Sequence, residues 1–182
     1  ATMFLRALGY DTREQIIELF YKIRDIELSD DREKKEELVG HVLARAVHVT
    51  EEGEEKKLYR AGDKIHPQDV DELLHRGIGA VAVIDFDNPE SLHSEIFLNC
   101  FEHEEVKLVK DDPDRDEPSK AEALSSVYSV IMPGEPITVE SAEKDLQSMF
   151  FSSRRYNLGR VGRYKLNKKF NYDDPVHIYC LA

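Results

Sequence analysis

The stretch Val42-Leu43-Ala44-Arg45-Ala46-Val47-His48-Val49-Thr50 breaks the periodicity of the residues before it. Upstream, apolar side chains recur three and four apart, whereas here β-branched residues crowd together, as a pleated strand favours. Glu51-Glu52-Gly53-Glu54-Glu55 is a polar, glycine-containing turn, and Lys57-Leu58-Tyr59-Arg60 follows it. The segment is therefore expected to be a β-hairpin or a pair of strands. Pro67 then stands where a first helical residue should be, with Val70, Leu73 and Leu74 on one face and Gly77 as the stop. The run Ala80-Val81-Ala82-Val83-Ile84 reads as a buried strand within residues 78–86, bounded by Asp87-Asn88-Pro89. Weaker strands are expected near residues 94–101 and 105–109.

Outward from this β-rich centre the pattern is helical. Asp11 with Glu14 resembles an N-cap and its capping-box partner, and Ile16, Ile17, Phe20 and Ile23 predict a helix over residues 12–24. Residues 25–37 mix charges of both signs with few apolar groups, which suits an exposed linker or a charged helix, and the linker is favoured. Residues 111–118 hold five acidic residues and two prolines, which makes an exposed loop. Ser119 and Glu122 then form a second capping-box pair, and Leu124, Val127, Tyr128 and Ile131 give the next helix one apolar face. Pro133-Gly134-Glu135-Pro136 ends that helix, and Thr138 caps a last one with Ala142, Leu146, Met149 and Phe150 inward. The expected fold class is α+β. A helical lobe of residues 1–24 and 116–174 is interrupted by a small β-rich α+β module at 25–115, and 175–182 remain an unassigned tail.

Composition bounds the class. With 182 residues, 41% hydrophobic and 34% charged, the chain can bury a core, and 8 Tyr with 8 Phe at regular spacing exclude a wholly disordered chain. Cys100 and Cys180 make no disulfide framework and no C-x-x-C pair, which fits a reducing cytosol. No apolar run approaches the ~20 residues needed to cross a bilayer, and the first residues lack the regions of a signal peptide. A soluble, cytoplasmic protein is expected.

Charge is distributed unevenly. Residues 154–169 (Arg-Arg-Tyr-Asn-Leu-Gly-Arg-Val-Gly-Arg-Tyr-Lys-Leu-Asn-Lys-Lys) carry seven basic side chains and no acidic one, while the rest holds 18 basic against 37 acidic, a balance of −19 under a total of −12. Arg and Lys interleaved with Tyr and Gly suit the backbone of a nucleic acid, because cationic groups displace its counterions and glycine permits close approach. The alternative is a solvated basic face that binds nothing.

Catalytic motifs are weak by comparison. His93, Glu95, Cys100, Glu102 and His103 cluster in sequence, but their spacings match no zinc pattern, since Cys100-x-x-His103 lacks a second pair. Gly159-x-x-Gly162 lacks the remainder of a phosphate loop, and Gly134 and Gly162 are expected to provide turns. The acidic runs lack the alternating ligands and glycine of an EF-hand. No triad and no catalytic residue can be named.

The wording of the basic segment, Arg155-Tyr156-Asn157-Leu158-Gly159-Arg160-Val161-Gly162-Arg163-Tyr164-Lys165-Leu166-Asn167, resembles the β subunit of bacterial DNA-directed RNA polymerase. Two further blocks match in order: Ala1-Thr2-Met3-Phe4-Leu5-Arg6-Ala7-Leu8-Gly9-Tyr10, and Pro133-Gly134-Glu135-Pro136 with the helix pattern after it. The resemblance implies a fragment of that subunit's lobe, including its external 1 domain, cut from a longer chain. It implies a non-catalytic role in transcription, forming one side of the DNA cleft near downstream duplex and the non-template strand. Partners implied are DNA, the remainder of β, the β′, α and ω subunits, and sigma factor, with no membrane. The cofactor implied for the whole enzyme is Mg²⁺, held by aspartates of β′, and none in this fragment. Arg155, Arg163 and Lys165 match the family's basic positions and are the first candidates for phosphate contacts; Arg154, Arg160, Lys168, Lys169 and Arg6 are secondary. Arg6, set among Phe4, Leu5, Ala7 and Leu8, could instead pair with a carboxylate. Tyr156 and Tyr164 could stack on an unpaired base or pack on the lobe. Met132 departs from the family, many of whose members place a basic residue before Pro-Gly-Glu-Pro. The alternative function is a protein-interaction module that docks initiation or elongation factors.

Overall fold

A computed structural model describes residues 1–51, 53–104, 115, 117–134, 138–173 and 175. The strand expected at 105–109, most of the acidic loop at 111–118, and residues 176–182 lie outside the described residues. The chain divides into two compact units, residues 1–120 and 121–182. Both helices and antiparallel two-stranded sheets are present, a mixed α+β fold as expected.

The first unit is organised around one strand, β4 (Ala80–Asp85), whose apolar run the sequence marks as buried. β4 pairs antiparallel with β1 (Lys22–Glu27), from Lys22 opposite Asp85 to Glu27 opposite Ala80. Its other edge is occupied by residues 42–44: Ala44 N–H donates to Ala82 O at 2.8 Å, and Ile84 N–H donates to Val42 O at 2.9 Å. Residues of alternating parity enter different cores. Ile84, with Val42 and Ala44, packs with Ile16, Ile17 and Tyr21 of the α2 (Arg13–Phe20) region and with Leu98 and Phe101 of α5 (Ile96–Glu102). Val81 and Val83, with Leu43, pack with Leu38 of α3 (Arg32–Leu38) and with Val70 and Leu73 of α4 (Pro67–His75). Helices on both faces explain why the strand is apolar throughout rather than alternating.

This arrangement corrects several expectations. The strand expected over 42–50 divides: 42–44 lie beside β4, while β2 (Val47–Glu51) turns away to pair with β3 (Glu54–Tyr59), with a bulge between Val47 and His48. At the bend, Glu14 Oε1 accepts from Ala46 N–H at 3.0 Å. The helix expected to reach residue 24 stops at Phe20, because pairing with β4 outweighs the helical spacing that includes Ile23. Its cap is Thr12, one residue later than expected: Thr12 Oγ1 accepts from Gln15 N–H at 3.3 Å while Gln15 Oε1 accepts from Thr12 N–H at 3.3 Å. The favoured linker at 25–37 instead holds part of β1 and, from Arg32 onward, the helix α3, the charged-helix alternative. The strand near 94–101 is the helix α5, whose Leu98 and Phe101 bury three apart and whose Phe97 stacks on Phe20 with ring centroids at 3.9 Å. Before α2, residues Thr2–Ala7 form a short helix, α1. Gly77, at φ +74, closes α4 as the sequence predicts, in a conformation that suits glycine.

The described residues of the second unit form the helices α6 (Lys120–Ile131, beginning at the boundary), α7 (Val139–Phe151) and α8 (Gly159–Phe170). Leu124, Val127, Tyr128 and Ile131 of α6 line one crevice with Ala142, Leu146 and Met149 of α7, the apolar faces that the spacing implies. Thr138 caps α7 by accepting from Ser141 N–H at 3.3 Å.

Tyr59 ties the hairpin to α4. Its hydroxyl lies 3.2 Å from Asp69 Oδ1 and 3.0 Å from Glu72 Oε2. Burial, then the hydrogen bond to Glu72 and the negative charges of both carboxylates, hold its pKa well above the ordinary value of 10.0. The folded state therefore keeps a proton that the unfolded chain releases, so this contribution is full below pH 10 and is lost as pH rises through the folded value. Tyr59→Phe is expected to flatten the alkaline decline of stability, measured as the urea midpoint below and above pH 10; equal declines in the two proteins would exclude this role for the hydroxyl.

Candidate nucleic-acid interface

After α7 the chain turns through residues 152–158, with Arg155 N–H and Tyr156 N–H donating to Ser152 O at 3.0 and 2.9 Å. Asn157 Oδ1 accepts from Gly159 N–H at 2.8 Å, and α8 begins. Gly162, expected in a turn, is inside this helix: a Cβ there would come within 3.2 Å of Leu158 Cβ, so glycine permits the close packing of Leu158. Tyr156 packs on Phe150, with ring centroids at 6.0 Å.

The structure separates the eight candidate residues into two groups. Arg154, Arg155, Arg160, Lys165, Lys168 and Lys169 are exposed. Arg163 is 2% exposed and is the buried residue of α8. A helical period of 3.6 residues places Val161, Tyr164, Lys165 and Lys168 on the face away from it. Val161 is 69% and Tyr164 59% exposed, so this face mixes cations with apolar and aromatic surface. Lys168 and Lys169 also occupy the last turn of α8, where positive charge suits the helix dipole. Twelve residues make a helix about 18 Å long, which spans about five phosphates of one strand at 3.4 Å each.

Arg6 lies elsewhere, in the first unit, and is fully buried. Its guanidinium meets Glu104 Oε2 and Glu117 Oε2, each at 3.0 Å, and also donates to Asp11 O. Glu117 Oε2 accepts from Arg13 N–H as well, at 3.1 Å. Burial opposes the charge of Arg6, but the hydrogen bonds and negative charges of Glu104 and Glu117 outweigh it and raise its pKa above the ordinary value. The carboxylate pairing that the sequence leaves open is the one observed, and Arg6 has no surface to offer a ligand. Neither glutamate stands out in the sequence; the signal that points to them is a lone cation inside an apolar block, which requires some carboxylate as partner.

Ion pairs set the exposed segment apart from the acidic body. In the body, cations have near acidic neighbours: Lys35 lies 2.8 Å from Asp30 and 3.0 Å from Asp71, Arg45 lies 3.2 Å from Glu18, and Lys22 lies 3.0 Å from Glu90. Among the described residues, none of Arg154, Arg155, Lys165, Lys168 and Lys169 is in an ion pair. No group of three His, Cys, Asp or Glu among the described residues is placed to hold a metal ion.

A family profile described as RNA polymerase Rpb2, domain 2 matches residues 94–179. The chain is 55% identical over 176 residues, 96% of its length, to the DNA-directed RNA polymerase subunit beta of Treponema denticola. It is 54% identical over 176 residues to that of Treponema pallidum, and 48% identical over 179 residues to that of Borrelia duttonii. The chain belongs to the family of DNA-directed RNA polymerase β subunits. It spans about 15% of the length of these relatives. The family resemblance of the three sequence blocks therefore holds. Within this β-subunit fragment, the basic segment is a helix with an exposed cationic face, and two of the candidate arginines are buried.

Substitutions at Arg6, Arg163 and Lys165 test that division. Arg6→Ala is expected to cost about 3–5 kcal/mol in chemical denaturation, since it strands buried carboxylates, and Arg6→Met with Glu104→Gln and Glu117→Gln should recover most of it. Arg163→Glu should lower the melting temperature by several degrees, whereas Lys165→Glu should stay within about 0.5 kcal/mol of the native chain. Equal effects at 163 and 165 would place Arg163 on the surface.

Proposed function

We propose that this β-subunit fragment handles DNA without catalysing a reaction, as a lobe that forms one side of the polymerase cleft and contacts downstream or non-template DNA. The observation that carries the reading is the exposed cationic face of α8 and its preceding turn, where Arg154, Arg155, Lys165, Lys168 and Lys169 are outside the ion pairs that engage cations of the body. Arg155 and Lys165 are the first phosphate contacts, with Arg154, Arg160, Lys168 and Lys169 beside them. Such contacts position the nucleic acid and do not read its sequence. Arg163 acts by holding α8 in place, and Arg6 by joining α1 to Glu104 and Glu117. The acidic body repels non-specific DNA from other surfaces and so directs it to the stripe.

The same reading treats the segment at 25–115 as an inserted external 1-like module within the lobe, facing outward. It assigns no catalytic side chain to this fragment, and leaves the Mg²⁺ of the whole polymerase to β′. Its setting is the cytoplasmic enzyme, with the rest of β, β′, α, ω, sigma factor and DNA as partners. Among the described residues, no helix is long and apolar enough to cross a membrane. A second reading is favoured by the exposed Val161 within the cationic face: an acidic initiation or elongation factor that docks there through both charge and apolar contact.

The test is fluorescence anisotropy of the chain with a forked DNA over a range of salt. The comparison is a variant with Arg155, Lys165 and Lys168 changed to Glu, which leaves buried Arg163 intact. Binding is expected to fall steeply with salt, and the variant's slope of log K against log salt should be shallower by about 0.7–0.9 for each phosphate that is no longer neutralised. Unchanged binding in the variant overturns the DNA face. Saturable binding to an isolated factor, with none to DNA, would establish the protein-docking reading instead.

A further inference from the structure

We propose that the C-terminal end of α8 carries a preformed aromatic platform, Phe170 and Tyr172, on which an unpaired base of single-stranded DNA stacks. This rests on the DNA-handling reading and adds to it a binding site for bases rather than phosphates. The two rings stack with centroids 5.9 Å apart and planes inclined by 27°. They nevertheless remain 55% and 56% exposed, so the pair is not part of a core.

The pair is held in place by the helix end. Asn171 sits in the left-handed region at φ 55, ψ 41, and is the single non-glycine residue with positive φ among those described. Asn171 N–H donates to Asn167 O, and so does Tyr172 N–H, at 3.0 Å. A bond from the residue after the left-handed position back to the third carbonyl from the helix end is the Schellman closure, which reverses the chain. Here the reversal returns the Tyr172 ring onto Phe170. Asparagine tolerates this conformation better than other side chains apart from glycine. Two exposed aromatic side chains are thereby fixed before any ligand arrives, which lowers the ordering cost of binding.

Charge at the platform suits a nucleotide. Lys169 Nζ lies 5.7 Å from the Phe170 ring centre, and Lys168 is exposed beside it. A base on the aromatic face would thus have its phosphate within reach of ammonium groups on the helix side. Exposed Asp173 follows Tyr172, whereas α8 itself carries no acidic side chain, so the strand is expected to run back along α8 rather than past Asp173. The flat face accepts any base, and selectivity is for unpaired over paired nucleotides, since a duplex keeps its bases stacked on each other.

The experiment titrates the 182-residue chain with a fluorescein-labelled oligothymidylate strand and with an abasic strand of equal length and phosphate count. Native chain is expected to bind the base-bearing strand about tenfold more tightly, and Phe170→Ala/Tyr172→Ala to abolish that preference while leaving abasic binding and the salt slope unchanged. Asn171→Gly should keep the preference and Asn171→Val should reduce it, because only glycine retains the left-handed turn. Helical circular dichroism checks that each variant is folded. If both strands bind the native chain equally, or the double alanine variant keeps the preference, the platform is overturned while salt-sensitive binding still supports the cationic face. If neither strand binds, and the charge-reversed variant behaves like the native chain, the DNA reading itself fails.

Discussion

The first unit depends on a single constraint: β4 must have both hydrogen-bonding edges occupied and both faces covered. Its backbone groups lie inside the unit, where an unpaired N–H or C=O would be costly, so a partner is required on each side. β1 supplies one and residues 42–44 the other. Its side chains then divide between two cores, one beneath α2 and α5 and one beneath α3 and α4. Most departures from local sequence preference in this unit follow. Residues 22–27 become a strand because β4 needs an edge, and residues 45–46 bend because 42–44 are held against β4 while the hairpin continues elsewhere.

A buried cation joins the ends of the same unit. Arg6 binds Glu104 and Glu117, residues 98 and 111 positions away, and Glu117 also accepts from the start of α2. A pair of this kind costs desolvation on each side, and its net stabilisation is small compared with the penalty for removing one member. Its effect is therefore on specificity: a chain path that fails to bring both glutamates to α1 leaves a buried charge without a counterion. An acidic protein has many surplus carboxylates, and here two of them are fixed at defined positions by one arginine.

Legibility in the sequence follows the range of the interactions concerned. β4, α4 with Pro67 and Gly77, the hairpin, and the facing apolar sides of α6 and α7 are readable because each depends on period and on local turn or cap residues. β1 and α5 are not, since Ile23 fits a helical spacing as well as a strand, and Leu98 and Phe101 define too short a period to separate the two, while the mixed charges around α3 suit a linker as well as a helix. The basic segment is legible as charge, and the family as three blocks of wording. Its division into exposed and buried cations is not, because Arg163 differs from Lys165 only in its position around a helix whose glycines, Gly159 and Gly162, suggest a turn instead. Phe170 and Tyr172 are hidden for a related reason: their proximity is produced by the backbone at Asn171 and leaves no mark in spacing.

On the proposed DNA-handling reading, the arrangement of α8 also accounts for how a strongly acidic chain could offer a polyanion an attractive surface. At a Debye length of about 8 Å in physiological salt, acidic groups one helix diameter away are already largely screened. A local stripe without interspersed carboxylates therefore acts on a ligand more strongly than the net charge of −12 suggests. That requirement is met by excluding acidic residues from positions 154–169 rather than by adding many cations, since one of the seven is turned inward to hold the helix. The buried arginine and the exposed ones then have complementary tasks: Arg163 fixes the orientation of α8, and this orientation leaves Lys165 and Lys168 together on the face turned away from it.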